Sequence, residues 1–105
     1  MDTDIIIPIY NAFDFTKKCI ETVIEHTDLT KHTLLLINDK STDQRILPLL
    51  NLFTTEYPSL NITIINNESN QGFVRTVNIG MQHSSRDVVL LNSDTEVTKN
   101  WLPKI

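Results

Sequence analysis

IIIPIYN at residues 5–11 is the stretch of sequence that decides the fold. Its first five residues form a continuous apolar run, which is typical of a strand buried on both faces of a parallel sheet. Two further runs have the same character, LLLI at residues 34–37 and VVLL at residues 88–91. The stretch NITII at residues 61–65 is closer to alternating, which indicates a strand with one poorer face at an edge of the sheet.

Apolar stripes at helical spacing lie between the four predicted strands. The residues of these stripes are Phe15, Cys19, Ile20, Val23 and Ile24 in the first helix and Phe73, Val77 and Met81 in the third. Asn11 is the predicted N-cap of the first helix. Because Pro48 disfavours a helix that begins well before it, we expect a turn over residues 41–46 and the main second helix over residues 47–57.

The alternation of strands and helices predicts an α/β fold. With right-handed crossovers between parallel strands, it becomes a three-layer α/β/α arrangement around a Rossmann-like parallel sheet. We expect the strand order 3-2-1-4, which leaves the fourth strand at an edge. Since residues 88–91 carry no charge or proline that would protect an edge, self-association through this strand is a further expectation.

Length and charge restrict the class of protein. A chain of 105 residues forms one domain, and its formal net charge of −4 with scattered Lys and Arg argues against a nucleic-acid partner. No apolar run approaches the roughly 18 residues of a membrane span. Cys19 is the only cysteine, so no internal disulfide can form. With no signal peptide pattern at the N-terminus, the sequence predicts a cytoplasmic location.

Polar residues follow three of the predicted strands at the point where each strand ends. They are Tyr10 and Asn11 after the first strand, NDKSTD at residues 38–43 after the second, and NSDTE at residues 92–96 after the fourth. Ligands of open parallel sheets bind outside the carboxyl ends of the strands. The sequence therefore predicts one ligand site built from these three segments.

Four segments resemble motifs of family 2 glycosyltransferases, which have the GT-A fold. IIIPIYN at residues 5–11 resembles the opening strand of that family, and NDKSTD at residues 38–43 is similar to the motif after its second strand. NQGF at residues 70–73, followed by NIG at residues 78–80, resembles the third-helix signature. LLNSDTEV at residues 90–97 resembles the strand that delivers the DXD motif. Their common order and spacing make the resemblance specific, although each segment alone is a weak signal.

The resemblance implies an enzyme that transfers a sugar from a nucleotide-diphospho-sugar donor to a hydroxyl of an acceptor glycan or lipid-linked glycan. It implies metal assistance and inversion at the sugar. Residues 1–105 would then be the N-terminal nucleotide-sugar-binding part of a GT-A domain, truncated after the DXD-like loop. The general base of such enzymes lies well beyond that loop, so we assign no catalytic residue here and expect this fragment to be inactive alone. The full-length protein would act at the inner face of the membrane or free in the cytoplasm.

Asp39 is the predicted contact for the nucleotide base. An aspartate is ionised near pH 7 and offers only acceptors, which suits the N–H of a uracil-type base. The resemblance implies this role for Asp39, with Pro8 and Tyr10 lining the base pocket. The pattern alone leaves open that Asp39 and Asp43 cap the following helix, because aspartate is a favoured cap.

Asp94 is the predicted metal ligand, with Asn92 and Ser93 beside it. Mn²⁺ or Mg²⁺ takes oxygen ligands and would bridge this carboxylate to the diphosphate of the donor. The family often has aspartate at the first position of the motif, where this chain has the neutral Asn92. We therefore expect weaker metal binding. The structural alternative is an Asx-turn that leaves the strand.

Two glycines and an asparagine complete the predicted site region. Gly72 is expected to allow a tight turn into the third helix, and Gly80 to permit close packing of that helix on the sheet. Asn78 resembles a family asparagine, and a structural hydrogen bond is an alternative role for it. The predicted nucleotide-sugar-binding residues are thus Pro8, Tyr10, Asn11, Asp39, Gly72, Asn78, Asn92, Ser93 and Asp94.

A different class of protein is also compatible with the layer order. A non-catalytic flavodoxin-type or receiver-like module would share the α/β architecture and could bind a nucleotide or act in signalling. Receiver domains gather acidic residues after the first strand, and this chain has none there. A NAD-type Rossmann domain is disfavoured because no G-x-G-x-x-G follows the first strand.

Overall fold

The computed structural model describes residues 2–102, and the two ends of the predicted domain, residues 1 and 105, lie outside them. Strands and helices alternate along the chain. They are β1 Thr3–Ile9, α1 Phe13–His26, β2 Thr33–Asn38, α2 Ile46–Glu56, β3 Ile62–Asn66, α3 Phe73–His83 and β4 Asp87–Leu90. The strands pair in parallel in the order β3-β2-β1-β4. This order confirms the prediction and differs from the flavodoxin-like order 2-1-3-4-5.

The central strand β1 is buried along its whole length, and its two faces pack against different helices. On one face Ile5, Ile7 and Ile9 join the main core together with residues of α1 and α2. On the other face Ile6 packs with residues of β2 in a smaller cluster. Since α3 covers this second face, the molecule has the three layers predicted.

Helix α3 lies very close to the sheet because its contact face is made of small residues. Thr76 and Gly80 are its buried residues. A Cβ atom added to Gly80 would lie 2.7 Å from Cδ1 of Ile37 and 2.9 Å from Cγ2 of Ile6. The predicted role of Gly80 in close packing is confirmed. The predicted apolar stripe was wrong, because Phe73 and Met81 are both more than half exposed.

Helix α1 begins later than predicted, and Asn11 is not its N-cap. Ala12 occupies that position with φ 52° and ψ 57°, and the helix starts at Phe13. The side chain of Asn11 points instead to the loop after β2, where its amide donates to Thr42 Oγ1 and its oxygen accepts from the backbone N–H of Asp43. Phe15, predicted to be in the apolar stripe, is 64% exposed.

Helix α2 and the two edge strands agree with the expected pattern. The helix starts at Ile46, one residue before the predicted start, and Pro48 lies in its first turn. A proline is tolerated there because the backbone N–H of that turn has no acceptor within the helix. Among the described residues, β3 pairs only with β2 and β4 only with β1. Within residues 2–102, no helix combines the length and the apolar character that a membrane span requires.

Candidate functional site

A cavity of about 650 Å³ opens at the carboxyl ends of β1, β2 and β4. It lies between the first turns of α1 and α3, which pack on opposite faces of the sheet. Its lining combines apolar rings with a few polar groups. The lining residues are Pro8, Ile9, Tyr10, Ala12, Phe15, Asp39, Asn70, Gly72, Phe73, Thr76, Asn92, Ser93 and Asp94.

Most of the predicted site residues meet at this cavity. Seven of the nine line it, namely Pro8, Tyr10, Asp39, Gly72, Asn92, Ser93 and Asp94. Asn11 stands next to the cavity and fixes the loop after β2, and Asn78 is exposed on α3 away from the lining. The three strand-end segments therefore form one cleft, and the roles of the residues toward a ligand stay predictions.

Asp39 is buried at one end of the cavity and organises the loop before α3. Its side chain is only 4% exposed. Oδ1 accepts from Asn67 Nδ2 at 2.9 Å and from the backbone N–H of Gln71 at 2.7 Å, and Oδ2 accepts from the N–H of Gly72 at 2.9 Å. Asn70 adds a bond from its side-chain amide to the carbonyl of Asp39 at 3.1 Å. One aspartate thus holds the segment from Asn67 to Gly72 against the sheet.

The hydrogen bonds decide the charge state of Asp39. Burial raises the pKa of this carboxyl group, but the donors of Gln71, Asn67, Gly72 and Thr76 outweigh burial and hold the pKa below its ordinary value of 3.8. The group is therefore ionised at neutral pH although it is buried. Oδ2 accepts a backbone hydrogen bond from Gly72, and Asp39 lines the cavity together with Thr76.

Gly72 adopts a backbone conformation that suits glycine alone. Its φ is 82° and its ψ is 168°, in a region that other residues rarely enter. A Cβ atom there would meet nothing within 4 Å, so the requirement comes from the backbone and not from space. This backbone conformation brings the N–H of Gly72 to Asp39 and leads into α3. It agrees with the predicted need for glycine at the entry to the third helix.

The loop after β2 is fixed by polar contacts with the end of β1. The N–H of Asn11 donates to Ser41 Oγ at 2.9 Å, and Lys40 in the same loop has a φ of 55°. Asp43 accepts from the backbone N–H and the guanidinium of Arg45, and these contacts lower its pKa to about 2. Asp43 therefore serves the start of α2 and does not line the cavity.

Asp94 lies on an exposed turn after β4, and β1 separates this strand from β2, which Asp39 follows. The strand order therefore places the two carboxylates at opposite ends of the cavity. The turn is closed by a bond from the N–H of Thr95 to the carbonyl of Asn92 at 3.0 Å. This backbone closure differs from the Asx-turn that was the structural alternative for the motif. Asn92, Ser93 and Asp94 all face the cavity, and the carboxylate of Asp94 is exposed.

The oxygen atoms of this turn fit a cation that is shared with a ligand. Within residues 2–102, no three acidic, histidine or cysteine side chains cluster closely enough to hold a metal by themselves. Asp94 supplies one carboxylate, and Asn92 and Ser93 supply neutral oxygens at the same cavity. Mg²⁺ is commonly bound by one or two carboxylates plus the phosphates of a substrate. The donor set therefore suits a site that a diphosphate completes.

Several residues of the site were missed by the reasoning from sequence. Phe15 and Phe73 expose their rings on the two sides of the cavity, although both were interpreted as packing residues. Asn67 and Gln71 hold Asp39, and no local pattern distinguishes them from other loop residues. The amide of Asn67 is buried and donates to Asp39 and also to Thr76.

Comparison with known families identifies the chain. The sequence profile described as Glycosyl transferase family 2 matches residues 4–105, almost the whole chain. The chain therefore belongs to glycosyl transferase family 2. This confirms the resemblance seen in the sequence motifs.

Relatives and solved structures agree with the family and the fold. An uncharacterized glycosyltransferase of Bacillus subtilis strain 168, YwdF, is 29% identical over 96 residues, which are 91% of this chain and 33% of that protein. The mannosyltransferase PcManGT of Pyrobaculum calidifontis, solved with GDP-Man and Mn²⁺, has a TM-score of 0.79 at 19% identity over 88% of this chain and 27% of its own. GalNAc-T7, solved with UDP, GalNAc and Mn²⁺, has a TM-score of 0.83 at 20% identity over 96% of this chain and 19% of its own. The chain spans about a third of the length of the curated relatives it matches.

Proposed function

We propose that this chain is the donor-binding part of a glycosyltransferase. The whole protein transfers a sugar from a nucleotide-diphospho-sugar to a hydroxyl of an acceptor glycan or lipid-linked glycan, with inversion and with help from Mn²⁺ or Mg²⁺. No general base is assigned among residues 2–102, so the proposal for this chain concerns binding of the donor. The cytoplasmic location stays a prediction.

One observation carries the proposal. A single cavity holds a buried, ionised acceptor at one end, Asp39, and an exposed carboxylate at the other end, Asp94. The end of β1 lies between β2 and β4 and brings Pro8 and Tyr10 to the same cavity. A nucleoside diphosphate has the same arrangement, with a planar base that carries an N–H at one end and a charged diphosphate at the other.

The Asp39 end suits a nucleobase. A carboxylate oxygen can accept two hydrogen bonds, so Oδ2, which accepts from Gly72, can also take an N–H from a pyrimidine-type base. Pro8 lies beside it, and Tyr10 presents a ring that is 48% exposed. A half-exposed aromatic ring next to a polar acceptor is a suitable surface for a planar base.

The Asp94 end suits a diphosphate only when a cation is present. Two like charges 4 Å apart repel by about 4 kcal/mol at an effective dielectric constant near 20. A divalent cation between the carboxylate and the diphosphate changes this repulsion into attraction, and it stabilises the diphosphate as it leaves. PcManGT with GDP-Man and Mn²⁺ and GalNAc-T7 with UDP and Mn²⁺ support the proposal from proteins of the same fold.

The proposal is tested by calorimetric titration of the chain with UDP, GDP and dTDP, each with Mn²⁺ and again with EDTA. We expect one of the three nucleotides to bind best, and its affinity to rise when Mn²⁺ is present. Fluoroberyllate without a nucleotide is the control for a receiver-like module and is expected to give no heat. Absence of nucleotide binding in both conditions, or binding of fluoroberyllate alone, would contradict the proposal.

A further inference from the structure

The segment that carries Asp94 lacks regular structure and is nevertheless packed. Over residues 91–102 the described chain has turns and no helix or strand. Leu91 and Val97 are both buried in the main core, on either side of Asp94. Because the segment has no helix or strand of its own, its path between these two residues depends on contacts with other elements.

Helix α1 and its C-cap residue contact this segment through three side chains. Cys19 Sγ donates to the carbonyl oxygen of Asn92 at 3.6 Å. The backbone N–H of Val97 donates to Thr22 Oγ1 at 3.1 Å. The indole N–H of Trp101 donates to Oγ1 of Thr27, the C-cap residue, at 2.8 Å. The first two contacts bracket Asp94, because they hold the chain two residues before it and three residues after it.

The thiol of Cys19 is buried beneath the turn. A thiol is a weak hydrogen-bond donor, and this one donates to the carbonyl of Asn92, the same carbonyl that accepts from the N–H of Thr95 and closes the turn. The side chain of Cys19 therefore contacts the turn at the carbonyl that defines it.

The hydroxyl of Thr22 is oriented by the helix. Its hydrogen is donated to the carbonyl of Cys19 at 2.8 Å, which leaves a lone pair directed to the N–H of Val97. The bond between Thr22 and Val97 is buried. Buried backbone N–H groups rarely lack an acceptor, so removal of this hydroxyl leaves a group that must find a new partner.

We propose that Thr22 and Cys19 are positioning residues for the cation site, with Thr22 the stronger of the two. They hold the chain on both sides of Asp94 and thereby fix the carboxylate toward the cavity. Groups that orient a metal ligand without touching the metal commonly change metal affinity by 10-fold or more when they are replaced. The inference rests on the proposed function, because it concerns the cation that accompanies a nucleotide.

The first test compares Thr22→Val with the wild-type chain. Valine keeps the branched shape and removes only the hydroxyl. The measurement is the ratio of UDP affinity with Mn²⁺ to UDP affinity with EDTA, or of GDP or dTDP if that nucleotide binds better. We expect this ratio to fall several-fold in Thr22→Val, by less than the loss expected when the carboxylate of Asp94 is itself removed, and to fall less in Cys19→Ala, while affinity in EDTA is unchanged. Leu35→Val is the control, because Leu35 is buried on the other face of the sheet under α3.

An unchanged ratio in Thr22→Val would overturn the inference, and so would an equal loss in Leu35→Val, since the effect would then follow general stability.

A second measurement needs no nucleotide. Hydrogen exchange of the backbone amides over residues 92–98 is expected to be faster in Thr22→Val than in Leu35→Val at equal global stability. Equal exchange in the two variants would overturn the inference even if no nucleotide binds, whereas failure of the wild-type chain to bind any nucleotide contradicts the proposed function alone.

Discussion

The two carboxylates of the cavity differ in almost every physical respect. Asp39 is 4% exposed and accepts three hydrogen bonds from the loop before α3, so its position is set by the fold. Asp94 is exposed on a turn, and its neighbours Asn92 and Ser93 carry no charge. The Asp39 end of the cavity is therefore already hydrogen-bonded within the protein, and we propose that a cation and a ligand complete the Asp94 end.

This difference separates stability from binding. Polar groups that already have hydrogen-bond partners in the folded chain contribute to the free energy of unfolding. Polar groups without such partners contribute mainly to the free energy of ligand binding. We therefore expect replacement of aspartate by asparagine to affect different properties at the two ends. Replacing Asp39 should affect folding first, and replacing Asp94 should affect only the cation-dependent part of binding.

Asp39→Asn is expected to have the largest effect. The amide keeps the size of the side chain but removes the charge and places an NH₂ group where backbone and side-chain donors point. Hydrogen bonds to a charged group contribute about 1.5–3 kcal/mol each, and partial rearrangement reduces the total, so we expect a loss of about 3 kcal/mol in the free energy of unfolding. For a domain of this size, that lowers the Tm by about 10–20 °C.

Asp94→Asn is the matched control for that measurement. The same substitution at an exposed position should change the free energy of unfolding by less than about 0.5 kcal/mol. Urea denaturation of the two variants side by side gives the comparison directly. Similar losses of unfolding free energy in both variants would show that Asp39 is held by the folded chain no more firmly than Asp94.

Gly72→Ala is expected to destabilise the chain by about 1–3 kcal/mol. The φ of 82° and ψ of 168° at Gly72 lie in a region that alanine enters only with strain of that size. No atom lies within 4 Å of the added Cβ, so a steric clash would not explain the loss. Chemical denaturation measures it. Gly80→Ala is a useful contrast because its Cβ would be 2.7 Å from Ile37. A Gly72→Ala variant as stable as the wild type would mean that the loop has another conformation in solution.

The cation-dependent part of nucleotide affinity should disappear in Asp94→Asn. We expect affinity with Mn²⁺ to fall about 10-fold, to the value measured with EDTA, which corresponds to about 1.4 kcal/mol. Affinity in EDTA should not decrease, because one repulsive charge has been removed. Calorimetric titration at constant ionic strength measures both. A cation effect that persists in this variant would place the cation elsewhere.

The framework of the fold was predictable because the strands carry strong local signals. The continuous apolar run of β1 reflects a strand buried on both faces, and all seven of its residues are indeed buried. The buried face of α3 was not predictable in the same way. It is made by Thr76 and Gly80, and small residues do not stand out in an apolar pattern. Phe15 and Phe73 were misplaced because hydrophobicity alone does not distinguish a core ring from one that lines a cavity.

The site was predictable in part. Asp39 and Asp94 follow predicted strands, and the carboxyl ends of parallel strands meet at one edge of the sheet, so their common cavity followed from topology. The partners of Asp39 were not predictable, since Asn67 and Gly72 lie about 30 positions further along the chain. The contacts of α1 with the Asp94 segment were missed for the same reason, because Thr22 and Val97 are 75 residues apart.

The smallest predicted effect is a pH dependence that belongs to Asp39. Its pKa lies below the ordinary value in the folded chain, so ionised Asp39 stabilises the fold above about pH 4, and this contribution is lost as the pH falls through the folded pKa. The Asp39→Asn variant has no titrating carboxyl group at this position. The stability difference between wild type and Asp39→Asn should therefore be constant from about pH 7 to about pH 5 and should narrow below about pH 4. Urea midpoints measured across this range provide the test.

Asp43, whose pKa is about 2, titrates in both proteins, so its contribution cancels in the stability difference. A difference that stays constant into acid would mean that the charge of Asp39 does not hold the loop, and the two ends of the cavity would then differ in burial alone.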